Sequence, residues 1–192
     1  EHGIDLVIEL PVIAATSSAE TFAQGGVCLL DSLDVVSHIS FGAEANTTSD
    51  INMLDKLADF FAFEPPAFQK YLELELKSGC SFPAARAKAA VRCLQQMDSN
   101  LMNTDIVAQL ERLLASPNNI LAIEYMKAIR RHHLKLTPSV VTRNGAGYHD
   151  TDTDTELASA SALRKFIFQD NSIQKADSKV LNQMLARTVP DS

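Results

Sequence analysis

Tryptophan is absent from the 192 residues, and the other aromatics are nine Phe and three Tyr. The core must therefore be built mainly from Leu, Ile, Val and Ala. Nowhere do about 18 apolar residues run together, so no segment spells a membrane-crossing helix. No secretory signal is spelled either. The chain opens Glu1-His2-Gly3 and passes straight into an apolar run. An opening without Met, directly before a strand pattern, reads as a cut end. Cysteine is scarce: Cys28, Cys80 and Cys93 are an odd number and show no CxxC spacing. That argues against a disulfide frame or a zinc site and suits a reducing cytoplasm. Positive charge is in deficit, with 17 Lys and Arg against 24 Asp and Glu, a net charge of −7. Nucleic-acid modules gain most of their affinity by neutralising phosphates, so a dedicated module of that kind is disfavoured, while a local basic patch is not.

What is present reads as an α/β chain. Asp5 to Pro11 predicts a short buried strand stopped by proline. Ser17-Ser-Ala-Glu20 matches a capping box, in which a serine hydroxyl and Glu20 satisfy free amides at the start of a helix reaching about Leu33. Phe22, Val27, Leu29, Leu30 and Leu33 form its expected buried set. Val35 to Gly42 predicts a second strand, giving a strand–helix–strand unit of a parallel sheet. Helical patterns then fill Ser49 to Leu114, with Ile51, Leu54, Leu57, Ala58 and Phe61 as one stripe. Consecutive helices with no strand between them read as an insertion. Ser116-Pro117-Asn118-Asn119 opens a further helix, capped by Ser116, with Ile120, Ile123, Tyr125, Ala128 and Ile129 on its apolar face. It ends in Arg130-Arg131-His132-His133, where cations suit the negative end of the helix dipole. Leu136 to Thr142 alternates as a strand, and Arg143 to Asp150 is a glycine-rich loop.

Several phrases, in order, resemble the family of tRNA(Met) cytidine acetate ligases, a branch of the HxGH nucleotidyltransferases. They are Asp5 to Pro11, Ser18-Ala19-Glu20 with Phe22, Ala23 and Gly25, Phe41-Gly42, Ser81 to Arg86, Ser116 to Tyr125, Gly145 to Asp150 and Ser159 to Lys165. The resemblance implies a parallel-sheet, Rossmann-like nucleotidyltransferase core, incomplete at its N-terminus. Residues 1–48 and 115–170 would form that core, 49–114 a helical insertion, and 171–192 the start of a C-terminal helical extension. It further implies ATP with Mg²⁺ as cofactor, acetate and elongator tRNA(Met) as partners, and a cytoplasmic location. Such enzymes activate acetate as acetyl-adenylate and acetylate N4 of the wobble cytidine. The family's HxGH motif is absent from this chain, where His2-Gly3 is a chance echo. The histidines of that motif would stabilise phosphate charge, so this chain alone is expected to be inactive. Another HxGH-type transferase making a nucleotide cofactor, or a non-catalytic truncated module, are the alternatives.

Each candidate site has an ordinary structural alternative. Ser159, Ser161 and Arg164 place small residues and a guanidinium at a helix start, which suits a phosphate, but also describes a plain serine cap with a surface arginine. The resemblance favours phosphate. It also assigns Arg143 to ATP, with Gly145 and Gly147 letting the loop approach closely. His149, a further loop contact, and Asp150 either handle protons or metal-bound water or make structural hydrogen bonds. Tyr148 either stacks on a base or anchors the loop. Asn118 and Asn119 can cap a helix or read a ribose or adenine edge. The resemblance puts an ATP contact at this pair, with Asn118 preferred. Gly42 ends a strand where a nucleotide can lie on bare backbone, and Glu44 follows it. Asp150, Asp152 and Asp154 read as a solvated acidic loop before they read as a magnesium site. The cations at 130–133 read as helix-end complements before tRNA contacts, and His38 as a strand histidine. Cys80 and Cys93 lack a histidine or aspartate at nucleophile spacing, and none of the thiols is read as a nucleophile.

Overall fold

The computed structural model describes residues 4–97 and 103–142. The chain divides into two compact units, one comprising Glu1–Ile8 with Asn144–Ser192 and the other Glu9–Arg143. In the second unit the described residues form seven helices and two strands: α1 (Val12–Ala15), α2 (Ala19–Ser32), β1 (His38–Ala43), α3 (Thr48–Phe63), α4 (Pro66–Lys77), α5 (Phe82–Met97), α6 (Thr104–Ala115), α7 (Pro117–Arg131) and β2 (Thr137–Thr142).

The two strands are parallel neighbours, in register from His38 opposite Thr137 to Ala43 opposite Thr142. The crossover between them runs through α3 to α7, so the sheet pairs residues far apart in sequence, as a parallel pair requires. Ile39 and Ala43 of β1 are buried, and Phe41 is half-buried against Tyr125 of α7, with ring centroids 5.1 Å apart. This is the α/β class that the sequence suggests, but the strand pairing differs from the one expected. Residues 4–10 take no regular structure, and Ile4, Leu6, Val7 and Ile8 are exposed. A strand exists only when its amides and carbonyls meet a neighbouring strand. Among the described residues none pairs with this segment; the pairing observed is that of β1 with β2.

The helical core is dominated by Leu54, Leu57, Phe61, Phe68, Leu110 and Leu113, all sealed from water. Phe60, Phe61 and Phe68 meet edge to face at 5.2 to 5.7 Å between centroids, the arrangement aromatic quadrupoles favour. The stripe expected on α3 is found there, with Ile51 only half-buried. A smaller cluster of Val27, Ile39, Ala128, Ile129 and Leu136 lies between α2, α7 and the strands.

Helix ends follow local chemistry with two departures from expectation. Ser18, not Ser17, caps α2, its hydroxyl accepting from the Thr21 amide. Glu20 does not close a capping box: its carboxylate accepts from Lys127 at 2.8 Å instead. A buried ammonium outcompetes an amide that solvent can reach. At α7, Pro117 holds the first position as expected, but the Ser116 hydroxyl donates to the Arg112 carbonyl at 3.1 Å and makes no cap bond. Arg130 at the other end of α7 pairs with Asp55 and with Asp59, 3.1 Å away, tying α7 to α3. Arg131 reaches Glu20 at 3.5 Å. Gly25 in α2 faces α1 so closely that a Cβ there would lie 2.6 Å from the Ala14 Cβ. Only glycine permits that approach.

Candidate nucleotide site and a neighbouring cavity

Parallel sheets place functional groups at the carboxyl ends of their strands. Here both strands end level, at Ala43 and Thr142. Because α7 runs back against the strands, its amino end comes to the same edge. Two consecutive asparagines make the junction. The Asn119 Oδ1 accepts from the Glu44 backbone N–H at 2.8 Å, and the Asn118 Nδ2 donates to the Glu44 Oε1 at 2.7 Å. The pair therefore clasps the first residue beyond β1 by both main chain and side chain. Asn119 is fully buried, and its Nδ2 has no hydrogen-bond partner among the described residues. A buried amide group left unpaired costs about 1–3 kcal/mol, which the Glu44 contact and the packing around α7 offset. Gly42, one of the residues singled out from sequence, is exposed in β1 opposite Val141.

The turn after Glu44 is fixed by Asp50. Its carboxylate accepts from Arg112 at 2.6 Å, from Gln109 at 2.8 Å and from the Asn46 amide at 3.3 Å. Burial works to raise the Asp50 carboxyl, but the donors from Gln109, Arg112 and Thr47 outweigh it and hold the group below its ordinary range. Thr47 caps α3 through the Asp50 amide at 3.0 Å. The loop between β1 and α3 is thus held at both ends.

Of the residues proposed from sequence, the structure brings Gly42, Asn118 and Asn119 to this one edge. Arg143 is the next residue after β2, but it and Gly145, Gly147, Tyr148, His149, Asp150, Asp152, Asp154, Ser159, Ser161 and Arg164 lie outside the described residues. Among the described residues no group of three or more His, Cys, Asp or Glu side chains is arranged to hold a metal ion. No helix among them is long and apolar enough to cross a membrane.

Sequence reasoning missed a second feature. A cavity of about 430 Å³ opens between α2, α3, α4, α5 and α7. Its lining is apolar at Phe61, Phe68, Leu72, Phe82 and Ile123 and charged at Arg86, Glu124, Lys127 and Glu20. Glu124 and Lys127 are both buried. Arg86 lies 2.6 Å and Lys127 2.5 Å from the Glu124 carboxylate, and Lys127 also donates to Glu20. The Lys127 hydrogen bond, with Arg86 and Arg131 nearby, holds the Glu20 carboxyl below its ordinary value against the opposing effect of burial. The Arg86 guanidinium stacks 4.0 Å above the Phe61 ring centroid. The available sequence signal was the pair Glu124 and Lys127, three apart within the apolar face of α7. Ionised residues on a buried face are retained only when paired.

The chain is similar to known proteins over nearly its whole length. The sequence pattern of the family described as HIGH Nucleotidyl Transferase matches residues 1–191. A tRNA(Met) cytidine acetate ligase of Clostridium perfringens is 46% identical over 178 residues, which cover 92% of this chain and 42% of that protein. One from Halothermothrix orenii is 37% identical over 187 residues, 96% of this chain and 43% of the relative. The chain therefore spans less than half the length of these relatives. Among solved structures it is similar to Thermotoga maritima TmcAL in its apo form, with a TM-score of 0.77 and 33% identity, covering 98% of this chain and 40% of the other. It is also similar to the same protein bound with alpha-thio ATP, with a TM-score of 0.71 and 34% identity, covering 90% and 37%.

Proposed function

Since the chain belongs to the HIGH nucleotidyl transferase family, we propose that it forms the rear of the nucleotide-binding part of a tRNA(Met) cytidine acetate ligase. In this reading ATP lies across the carboxyl ends of β1 and β2. Residues 1–48 and 115–170 build the nucleotide-binding core, 49–114 are inserted into it, and 171–192 begin a further helical extension. Acetate attacks the α-phosphorus and pyrophosphate leaves. N4 of the wobble cytidine in elongator tRNA(Met) then attacks the acetyl carbon and AMP leaves.

One observation carries the reading: the Asn118–Asn119 clasp on Glu44 at a parallel strand's carboxyl end, with a buried amide donor unpaired among the described residues. Asn118 spends one donor on the Glu44 side chain and keeps a second, and it is only partly buried where Asn119 is sealed, so Asn118 is the better placed donor to a nucleotide oxygen or ring nitrogen. Gly42 lets the nucleotide lie on bare backbone. Arg143 follows β2 directly and serves the phosphates, together with Ser159, Ser161 and Arg164 and the loop residues Gly145, Gly147 and His149. Mg²⁺ would ride on the triphosphate, keeping waters as its other ligands. The described residues form no carboxylate cage for it, and none is assigned to it.

Calorimetric titration of ATP into the chain and into its Arg143→Ala and Arg164→Ala variants tests the site. Each substitution should weaken ATP binding by at least tenfold, the size of a lost charge-assisted hydrogen bond of about 1.5–3 kcal/mol. Unchanged affinity in both variants would end the proposal.

A further inference from the structure

We propose that Arg112, in the last turn of α6, is a positioning residue for the nucleotide edge: it acts through Asp50 to set how Glu44 meets the Asn118–Asn119 pair. The nucleotide half of this inference rests on the proposed function; the geometry of the clasp does not. Two stretches of chain, 44–50 and 109–119, are clipped together twice. At one clip the Glu44 amide donates to Asn119 and its carboxylate accepts from Asn118. At the other the Asp50 Oδ1 accepts from Arg112 at 2.6 Å and from Gln109 at 2.8 Å.

The links between the clips are short and themselves bonded. On the first stretch the Asn46 amide donates to the other Asp50 oxygen, and the Asp50 amide donates to Thr47. On the second, Ser116 alone separates α6 from α7. Its hydroxyl donates to the Arg112 carbonyl, and its carbonyl accepts from the Ile120 amide. Arg112 therefore grips both stretches, one by its guanidinium and the other by its backbone. A shift at Asp50 passes along either link to the Glu44 clasp, where hydrogen bonds lose strength steeply as their angles open. Arg112 is the charged donor of its clip, and a charge-assisted bond is roughly twice as strong as the neutral one from Gln109. Asp50 and Arg112 lie on α3 and α6, so helices between the two strands would govern nucleotide affinity through the loop after β1.

Amide NMR of the whole chain reads the clasp, and calorimetric titration of ATP reads the edge. Arg112→Ala leaves Gln109 donating to the same Asp50 oxygen, so the fold should survive. The variant should shift the Glu44 amide resonance, speed its hydrogen exchange and weaken ATP binding about tenfold, the effect of one lost charge-assisted bond. Arg112→Met keeps the alkyl stem and takes its place should Arg112→Ala not fold. Arg112→Lys returns a cation to Asp50 and should recover both readouts. Arg130→Ala is the matched control: it too removes an arginine tying α7 to α3, through Asp55 and Asp59, but at the far end of α7. It should leave the Glu44 amide and ATP affinity at parent values, whatever it does to stability, whereas a merely structural role for Arg112 would make the two alanine variants alike. An unshifted Glu44 amide in Arg112→Ala, an Arg112→Lys as impaired as Arg112→Ala, equal effects in Arg130→Ala, or parent ATP affinity in folded Arg112→Ala would overturn the inference. A parent that binds no ATP, with the Glu44 amide disturbed in Arg112→Ala alone, keeps the joint and removes the nucleotide reading.

Discussion

Asn119 and Glu124 lie five residues apart on α7, and both are shut off from water, yet they are held by opposite means. Asn119 is a neutral amide gripping one backbone N–H of Glu44. Glu124 is an ion among ions, with Arg86, Lys127 and Glu20. A neutral hydrogen bond is directional and indifferent to acid. A buried ionic group depends on charge balance, and removing one member strands the rest. The amino end of α7 therefore fixes geometry, while its middle concentrates charge in a low-dielectric pocket.

Three experiments sharpen that contrast. The largest effect is expected from Glu124→Ala, which leaves Lys127 buried and Arg86 mostly covered without their shared counter-charge. Urea unfolding should report a loss of about 3–5 kcal/mol. A loss under 1 kcal/mol would mean that water reaches the network and that the two regions do not differ in kind. Asn119→Ala should cost less, about 1–3 kcal/mol, because it strands the single Glu44 amide. The same urea titration checks it, and a loss as large as that of Glu124→Ala would contradict the difference between the two regions. The smallest effect concerns Glu20. Its folded carboxyl is held below the ordinary value of 4.5, so its contribution is fully present above that value and disappears as pH falls through the lower, folded one. Asp50 acts in the same sense below 3.8. Unfolding free energies measured from pH 6 to pH 3 should therefore fall, and Glu20→Gln should flatten the upper part of the decline. The carboxylate is half-exposed, so the difference should not exceed about 1 kcal/mol. A variant as acid-sensitive as the parent would remove Glu20 from the network.

Much of the helical architecture was legible in the residues. Pro66 and Pro117 mark first turns, and the spacing of Leu54, Leu57, Ala58 and Phe61 marks a buried stripe, because periodicity and proline geometry act within a few residues. The capping details were less legible. Ser17 and Ser18 are equivalent as local acceptors, and Glu20 can serve either an amide or a distant ammonium. The difference lies in Lys127, which is 107 residues away. At the candidate site, sequence placed Gly42, Asn118 and Asn119 at a strand end and a helix start. It could not say which asparagine amide would be spent on Glu44.

By itself the sequence determined helices α2 to α7, the strand segments around His38 and Thr137, the lack of a membrane-spanning helix among the described residues and the family resemblance, since all of these are written in neighbouring residues. Only tertiary structure decided that β1 pairs with β2 and that residues 4–10 stand without regular structure, because strand pairing is a choice among distant segments. Only tertiary structure, too, gathered Glu20, Arg86, Glu124 and Lys127 around one cavity. Three helices contribute to that cluster, and the energy of a buried charge depends on which partners the fold brings within a few ångströms, not on which residues precede it.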